Sequence, residues 1–434
     1  MHNVTRGVIA PDVLLTCVST DKFKTGCLSV NLITGLDRKN AAMTALMPRV
    51  LRRGGGRHGD MREIADALDS LYGARIEPVV RKKGELHCVG LAADFVDDDF
   101  LPKGENVLEK TAQLLGELLL SPKTRGGLLT HDYVDSERAN LINDIRAGIN
   151  EKRVYARDKL FENMCSDEAY GTNRLGTEES AKTITAKALT RRYQDIIAGS
   201  RAEVFYCGAA SPQRVTDALT EALASMPRRV DIQAPCTEVI LGPPKPAPRR
   251  FTEEMDVQQS KLAIGFRLGN CMKAPDYPAL MVFDAVFGGG VTSKLFMNVR
   301  ERLSLCYYAS SSIDKHKGVM IVSSGVDFEK IDEARGEIYA QLESVARGDI
   351  SDWELRSAKQ AVITSVKSAM DAPSGLEELY LDHAIASIKF EPDELAALAG
   401  AVTREEVAAI AAGAAADLEF ILTRQGAQSD GGSI

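Results

Sequence analysis

Six histidines stand in this chain of 434 residues: His2, His58, His87, His131, His316 and His383. No two lie three to five residues apart. No helix can therefore present two imidazoles one turn apart, the arrangement that H-E-x-x-H and H-x-x-E-H zinc sites require. His87 falls in a strand-like segment and reads as a hydrogen-bonded sheet residue; the others read as surface or loop residues. The eight cysteines (Cys17, Cys27, Cys88, Cys165, Cys207, Cys236, Cys271, Cys306) are scattered without a C-x-x-C pair. That is the pattern of buried, reduced thiols rather than a disulfide frame or a zinc knuckle. "GGGVTSKLF" at 288–296 lacks the Gly-Lys-Ser/Thr ending of a phosphate loop and reads as a helix end followed by a turn. "GAASPQ" at 208–213 lacks the glycine spacing of a nucleotide fingerprint, and no G-x-S-x-G elbow is present. No self-contained active site is legible.

The framework that would position any chemistry is duplicated. "ALMPRVLRRGGG" at 45–56 returns as "ALMVFDAVFGGG" at 279–290, 234 positions on (279 minus 45). "GCLSVNLITG" alternates like a strand. A helix is expected from about Asp37 to Gly54, and a second over "DMREIADALDSLYG", with Asp60 as N-cap, Glu63 three residues on and Gly73 as C-cap. "RIEPVVRKKGELHCVGLAADF" predicts a hairpin turning near Gly84. Long helices follow around 105–120 and 129–165, then a strand at "AEVFYCGA". The second half repeats the order: strand "SKLAIGFRLG", helices "YPALMVFDAVFGGG" and "SKLFMNVRERLS", a hairpin over 305–327, and helices at 329–347 and 352–371. "SERANLINDIRAGIN" and "SAKQAVITSVKSAMD" stand 221 apart (357 minus 136), so the second copy has lost 13 residues.

The fold expected is α/β (α+β), with two homologous domains, each a largely antiparallel β-sheet with helices packed on one face. The domains span 1–225 and 251–434, joined by a proline-rich linker at 226–250. A composition of 44% hydrophobic and 26% charged residues is that of an ordinary globular protein. The net charge of −8 argues against nucleic acid as partner, and the short basic clusters, among them Arg49, Arg52, Arg53 and Arg57, read as solvated faces. No apolar run approaches the roughly 18–20 residues of a membrane span. The N-terminus does not read as a secretory leader, so a cytoplasmic protein is expected.

With this element order on the page, two further segments carry a resemblance over almost the whole chain. "YGTNRLGTEESAKTIT" at 170–185 is similar to the glycine-threonine-glutamate-glutamate segment of the insulinase/pitrilysin family of zinc peptidases. "LFMNVRERLSLCY" at 295–307 is similar to that family's arginine-glutamate…leucine-x-tyrosine segment. Active members carry H-x-x-E-H on the first-half helix. Counting back from Gly54 places that motif on Ala45, Leu46, Met47, Pro48 and Arg49, so both imidazoles and the general-base glutamate are absent. Glu137 matches the family's distal ligand and stands alone. Pro48 removes a helical hydrogen bond and should kink the helix, at about 3 kcal/mol or more unless a bend is accommodated. Arg49 sets a fixed charge where a dication would sit.

The resemblance implies a non-catalytic subunit with no cofactor of its own, zinc being expected only in a homologous H-x-x-E-H-bearing peptidase subunit. In two-chain relatives such a subunit and its partner enclose a peptide substrate. The zinc-free chain supplies an arginine and a tyrosine seven residues apart, here Arg300 and Tyr307. Spacing alone reads Arg300 as an exposed helical residue and Tyr307 as strand filling. Ser304 stands where the family usually has glycine. The alternatives are a non-enzymatic peptide-binding or scaffold protein on the same fold, and a homodimer acting as a peptide trap.

Overall fold

The computed structural model describes residues 3–230, 232–240, 242, 247–388 and 390–424. His2, residues 425–434 and, within the expected linker, residues 231, 241 and 243–246 lie outside them. The first half runs β1 (Asn3–Ala10), β2 (Val13–Ser19), β3 (Thr25–Gly35), α1 (Ala41–Leu51), α2 (Met61–Ser70), β4 (Arg75–Lys83), β5 (Leu86–Val96), α3 (Val107–Leu120), the small hairpin β6 (Thr124–Arg125) and β7 (Leu128–Leu129), α4 (His131–Asn150), α5 (Lys152–Met164), α6 (Glu178–Lys182), α7 (Ala186–Gly199), β8 (Arg201–Gly208) and α8 (Pro212–Ala222). The second runs β9 (Arg249–Glu254), β10 (Ser260–Arg267), α9 (Tyr277–Phe287), a π-helix (Leu295–Arg302), β11 (Cys306–Asp314), β12 (Val319–Val326), α10 (Ile331–Ala346), α11 (Asp352–Ala369), α12 (Pro373–Ala386), α13 (Pro392–Ala401), α14 (Arg404–Gly413) and β13 (Ala415–Thr423).

The duplication is written in the strand order. One sheet is ordered β1-β2-β8-β3-β5-β4 and the other β9-β13-β10-β12-β11 when read from its β9 edge. Apart from the extra β1, the two coincide strand for strand. The parallel pair falls in the same place in both, β2 with β8 and β9 with β13, and the remaining pairs are antiparallel. Several local expectations hold for the reasons that suggested them. Asp60 caps α2 by accepting from the N–H groups of Arg62 and Glu63, and Gly84 takes the left-handed conformation at φ +59°; the C-cap of α2 is Leu71, not the expected Gly73, because the chain turns left-handed at Tyr72 (φ +61°) before reaching Gly73 (φ +74°).

Each sheet carries an addition that the expected layering lacked, a helix on its second face taken from the other half of the chain. On β3 the alternation of side chains sends Leu28, Val30 and Leu32 into the main core and Cys27, Ser29, Asn31 and Ile33 to the opposite face. That face is covered by α12. Leu376 and Tyr380 pack on Val18, Cys27 and Phe205, and Leu381 packs on Ile33 and Cys88. On the second sheet, α5 lays Ala156, Leu160 and Met164 over Ala263, Ile321 and Phe420. Gly265 of β10 has no room for a Cβ, which would lie 2.5 Å from the Met164 sulfur.

The compact units are therefore discontinuous. One comprises Met1–Arg146, Thr172–Cys236 and Ala369–Ile385; the other comprises Ala147–Gly171, Thr237–Ser368 and Ala386–Ile434. A single division at 226–250 does not describe them. The uniform helix expected at 129–165 is likewise two helices, broken at Glu151, because α4 and α5 belong to different sheets.

Buried carboxylates fasten the exchanged segments. Glu377 of α12 accepts from Ser29 Oγ at 2.8 Å, Asn31 Nδ2 at 3.0 Å and Arg81 at 2.7 Å. In the other unit Glu168, just after α5, meets Arg267 and Lys317, each at 2.6 Å, and Asp417 of β13 meets Arg267 at 2.7 Å. Buried charges persist only when paired in this way.

Candidate functional site

Two places could host chemistry, and they fall in different units. The first is the helix α1 with its neighbour α4. Ala45 is fully buried in the core, together with Leu46 and Met47. Pro48 lies inside α1 without ending it. The helix runs on to Leu51, and the Arg52 N–H still reaches the Pro48 carbonyl at 3.2 Å.

The charges sort differently from the sequence reading. Arg49 pairs with Asp144 of α4 at 2.7 Å. The cation set against Glu137 is Arg53, at 3.2 Å, with its guanidinium 5.5 Å from the Tyr133 ring. Arg53 lies beyond the end of α1, so it is not the solvated charge that its basic cluster suggests. Glu137 also accepts from Asn140 at 3.2 Å. Buried alanine, proline and two paired arginines are not a donor set for zinc, which needs imidazole, thiolate or carboxylate lone pairs. The one carboxylate retained is neutralised by a guanidinium. Among the described residues no group of three or more His, Cys, Asp or Glu side chains is arranged to hold a metal.

The remaining histidines fit this reading. His58 pairs with Glu117 at 2.9 Å, and Glu117 also accepts from the Arg57 and His58 N–H groups. Burial raises that carboxyl, but these donors outweigh it and hold the pKa below the ordinary value. Glu117 thus ties down the loop after the first triple glycine, and a Cβ on Gly55 would collide with it. His87 is buried in β5, and burial lowers its pKa to about 3. His316 is buried within the turn between β11 and β12, and His383 is buried in α12 rather than in a surface or loop position. Cys236 is exposed and Cys271 and Cys306 are half-buried, whereas the other five thiols are buried, and none of the eight forms a disulfide.

The second place is built from the "LFMNVRERLSLCY" segment. It breaks regular backbone geometry three times within 13 residues. Leu295–Arg302 is a π-helix, closed by the Leu303 N–H on the Asn298 carbonyl at 3.1 Å. Ser304 sits at φ +48°. The β11–β12 register then slips between Cys306 and Tyr308, leaving Tyr307 as the extra residue of a bulge on an edge strand. π-turns and bulges are features by which a fold re-aims a side chain.

Their result is that Arg300 and Tyr307 line one open cleft of about 420 Å³, together with Glu301, Ser304, Cys306 and Asp327. Tyr307 is 61% exposed, so it does not fill the strand's core. Its hydroxyl donates to Asp327 Oδ1 at 3.2 Å, and that carboxylate raises the phenol's pKa. The Arg300 guanidinium rests over the Phe296 ring at 4.7 Å, with its Nε 3.6 Å from Glu301. The π-helix and the bulge carry no local sequence signal. Asp327 was missed because only the hairpin pairing brings it to Tyr307.

Serine in the left-handed region costs about 1–2 kcal/mol, and glycine returns part of this through its freer unfolded chain. Ser304→Gly is therefore expected to stabilise the chain by about 0.5–1 kcal/mol, read as a higher denaturation midpoint. A lowered midpoint would show that the hydroxyl, not the backbone, matters at this turn.

Comparison with known proteins places these features in context. A family model described as "Peptidase M16 inactive domain" matches residues 183–362. The "Probable inactive metalloprotease YmfF" of Bacillus subtilis (strain 168) is 31% identical over 390 residues, covering 90% of this chain and 91% of that protein. A crystal structure of a conserved protein from Enterococcus faecalis V583 superposes with a TM-score of 0.88 at 26% identity, over 99% of this chain and 100% of that one. The peptidase M16 inactive domain from Pseudomonas fluorescens gives a TM-score of 0.80 at 16% identity, over 98% and 100% of the two chains, and speaks for the fold alone. Among the described residues no helix is long and apolar enough to cross a membrane.

Proposed function

The chain belongs to the M16 peptidase family as an inactive member, and from that premise we propose that it is the non-catalytic subunit of a two-chain peptidase. It pairs with a homologous H-x-x-E-H-bearing subunit and lends Arg300 and Tyr307 to the peptide bound there. The observation that carries this reading is the shared cleft. An exposed guanidinium and an exposed phenol line one space, held there by a π-helix, a left-handed serine and a bulge. Strain of this kind collects at sites that use it.

The chemistry suits the role. Hydrolysis of a peptide builds negative charge on the scissile carbonyl oxygen. A guanidinium is permanently charged and can donate to that oxygen or to neighbouring substrate carbonyls, and the Tyr307 phenol can do the same once its one hydroxyl proton turns from Asp327 to the substrate. The hydrolytic step itself belongs to the partner. The substrates are short or unstructured peptides, and the free thiols support a reducing, cytoplasmic setting.

The purified chain is expected to contain no stoichiometric zinc and to cleave no peptide alone. Elemental analysis finding about one zinc per chain, removable by a chelator, would contradict the reading of the α1 site. The role in trans is tested by co-purification with candidate H-x-x-E-H homologues, followed by peptide cleavage with each chain alone and with both together. Cleavage that needs both supports the proposal. Stable pairing without any gain in cleavage would favour the scaffold alternative.

A further inference from the structure

Cys27 of β3 and Cys207 of β8 are direct cross-strand partners in an antiparallel pair. Both belong to the face covered by α12, where they share one apolar cluster with Val18, Phe205, Leu376 and Tyr380. Residues opposed in this way hold their Cα atoms about 4.5–5.5 Å apart, inside the range of about 4.4–6.8 Å that a disulfide bridges. The other strand cysteines oppose residues of different type: Cys17 meets Tyr206, Cys88 meets Ile33 and Arg81, and Cys306 meets Val326. Neither Cys27 nor Cys207 lines the Arg300 cleft.

The pair is protected by its cover. Burial pushes both thiols up, Cys207 to about 12, so neither is a nucleophile while α12 is seated. That seat is only partly apolar. Leu376, Tyr380 and Leu381 supply its apolar contacts, with Tyr380 stacked on Phe205 at 6.3 Å. Between them Glu377 meets Ser29, Asn31 and Arg81, and a cavity of about 10 Å³ lies beside Thr16, Asn31 and Glu203. A helix held by a short apolar strip over polar groups opens at a lower free energy than the sheet beneath it. We propose that Cys27 and Cys207 are a redox modification site gated by α12, oxidised to a cross-strand disulfide by a low-molecular-weight disulfide when the helix lifts. One cysteine thiolate attacks the small disulfide and expels a thiolate from it. The second cysteine thiolate then displaces the other half from the mixed disulfide. The protein pair gives up two electrons and two protons, and the small disulfide becomes two thiols. This chemistry needs no partner subunit.

The probe is oxidised glutathione, incubated with the full reduced chain. The readout is the linked pair of peptides carrying Cys27 and Cys207 after non-reducing digestion, followed over time by mass spectrometry. The parent chain is expected to form the bond slowly, over hours, and dithiothreitol should reverse it. Tyr380→Ala removes the ring that covers the pair and should form the bond at least about tenfold faster. Cys27→Ser and Cys207→Ser should each stop at a mixed disulfide on the remaining thiol. Should Tyr380→Ala fail to fold, the parent chain in urea below its unfolding transition serves instead. There the bond should form faster as urea is added, with a weaker urea dependence than global unfolding shows. Absence of the link in the folded Tyr380→Ala chain, or equal rates in variant and parent, overturns the proposal. So does a rate that follows global unfolding alone, since α12 would then not be the gate. A link from Cys17 to Cys207 in place of the expected one overturns it as well.

Discussion

Arg300→Ala is expected to lower the turnover of the assembled two-chain peptidase by roughly 10²–10³-fold, the loss typical of removing one preorganised oxyanion donor. The isolated chain should scarcely notice the change. The side chain is 42% exposed, its ionic neighbour Glu301 is 3.6 Å away, and exposed pairs of this kind contribute about 0–1 kcal/mol. Its contact with the Phe296 ring is a further small term at an exposed position. The denaturation midpoint and the affinity for the partner should therefore stay close to those of the unsubstituted chain. A loss of turnover accompanied by an equal loss of folded protein would assign Arg300 to structure instead. Arg300→Lys makes the distinction finer. It keeps a charge but not the planar fork, and it should recover only part of the rate.

Arg267→Met is expected to produce the largest loss of stability, about 3–5 kcal/mol, because it leaves buried carboxylates short of a cation. Arg267 is 2% exposed and joins Glu168, from the segment after α5, to Asp417 of β13. Lys317 and Arg249 remain to face these two carboxylates, so the low end of that range applies if they move closer. The pH dependence follows in sign. Burial pushes Glu168 up, but the hydrogen bonds from Arg267 and Lys317 outweigh it and hold the folded pKa below the ordinary value. The stability it contributes is present above the ordinary glutamate pKa and is lost as pH falls through the lowered one. Denaturant titrations should show an acid limb that is shallower in Arg267→Met than in the parent chain. Equal midpoints for the two proteins at neutral pH would contradict this account of how the exchanged segment is held.

What the sequence discloses here follows the range of the interaction. Asp60 caps α2, and Gly84 turns a hairpin, because each acts within a few residues, whereas α2 ends at Leu71 short of Gly73. The duplication is legible because it repeats a phrase, and the missing zinc donors are legible because they are counted from one glycine. The helix exchange is not. Leu160 and Met164, or Leu376 and Tyr380, announce an apolar face but not that its sheet lies in the other half of the chain. Arg53 is hidden by the same limit, since its contact with Glu137 spans 84 positions. The π-helix reads as an ordinary amphipathic turn, and only Ser304, where glycine was expected, hinted at irregular backbone. Arg300 and Tyr307 were named by resemblance. The structure adds that they share a cleft and that Tyr307 is held by Asp327.

The claim at the centre of this account is that Tyr307 is displayed for a substrate rather than packed for stability. Tyr307→Phe tests it most directly, since the ring stays and only the hydroxyl that meets Asp327 is lost. The measurement is the steady-state cleavage rate of the two-chain assembly, at matched subunit concentration, beside the melting curve of the substituted chain. A fall in rate of at least about tenfold, equivalent to some 1.4 kcal/mol of transition-state stabilisation, with an unchanged melting curve is the predicted result. An unchanged rate would contradict the account.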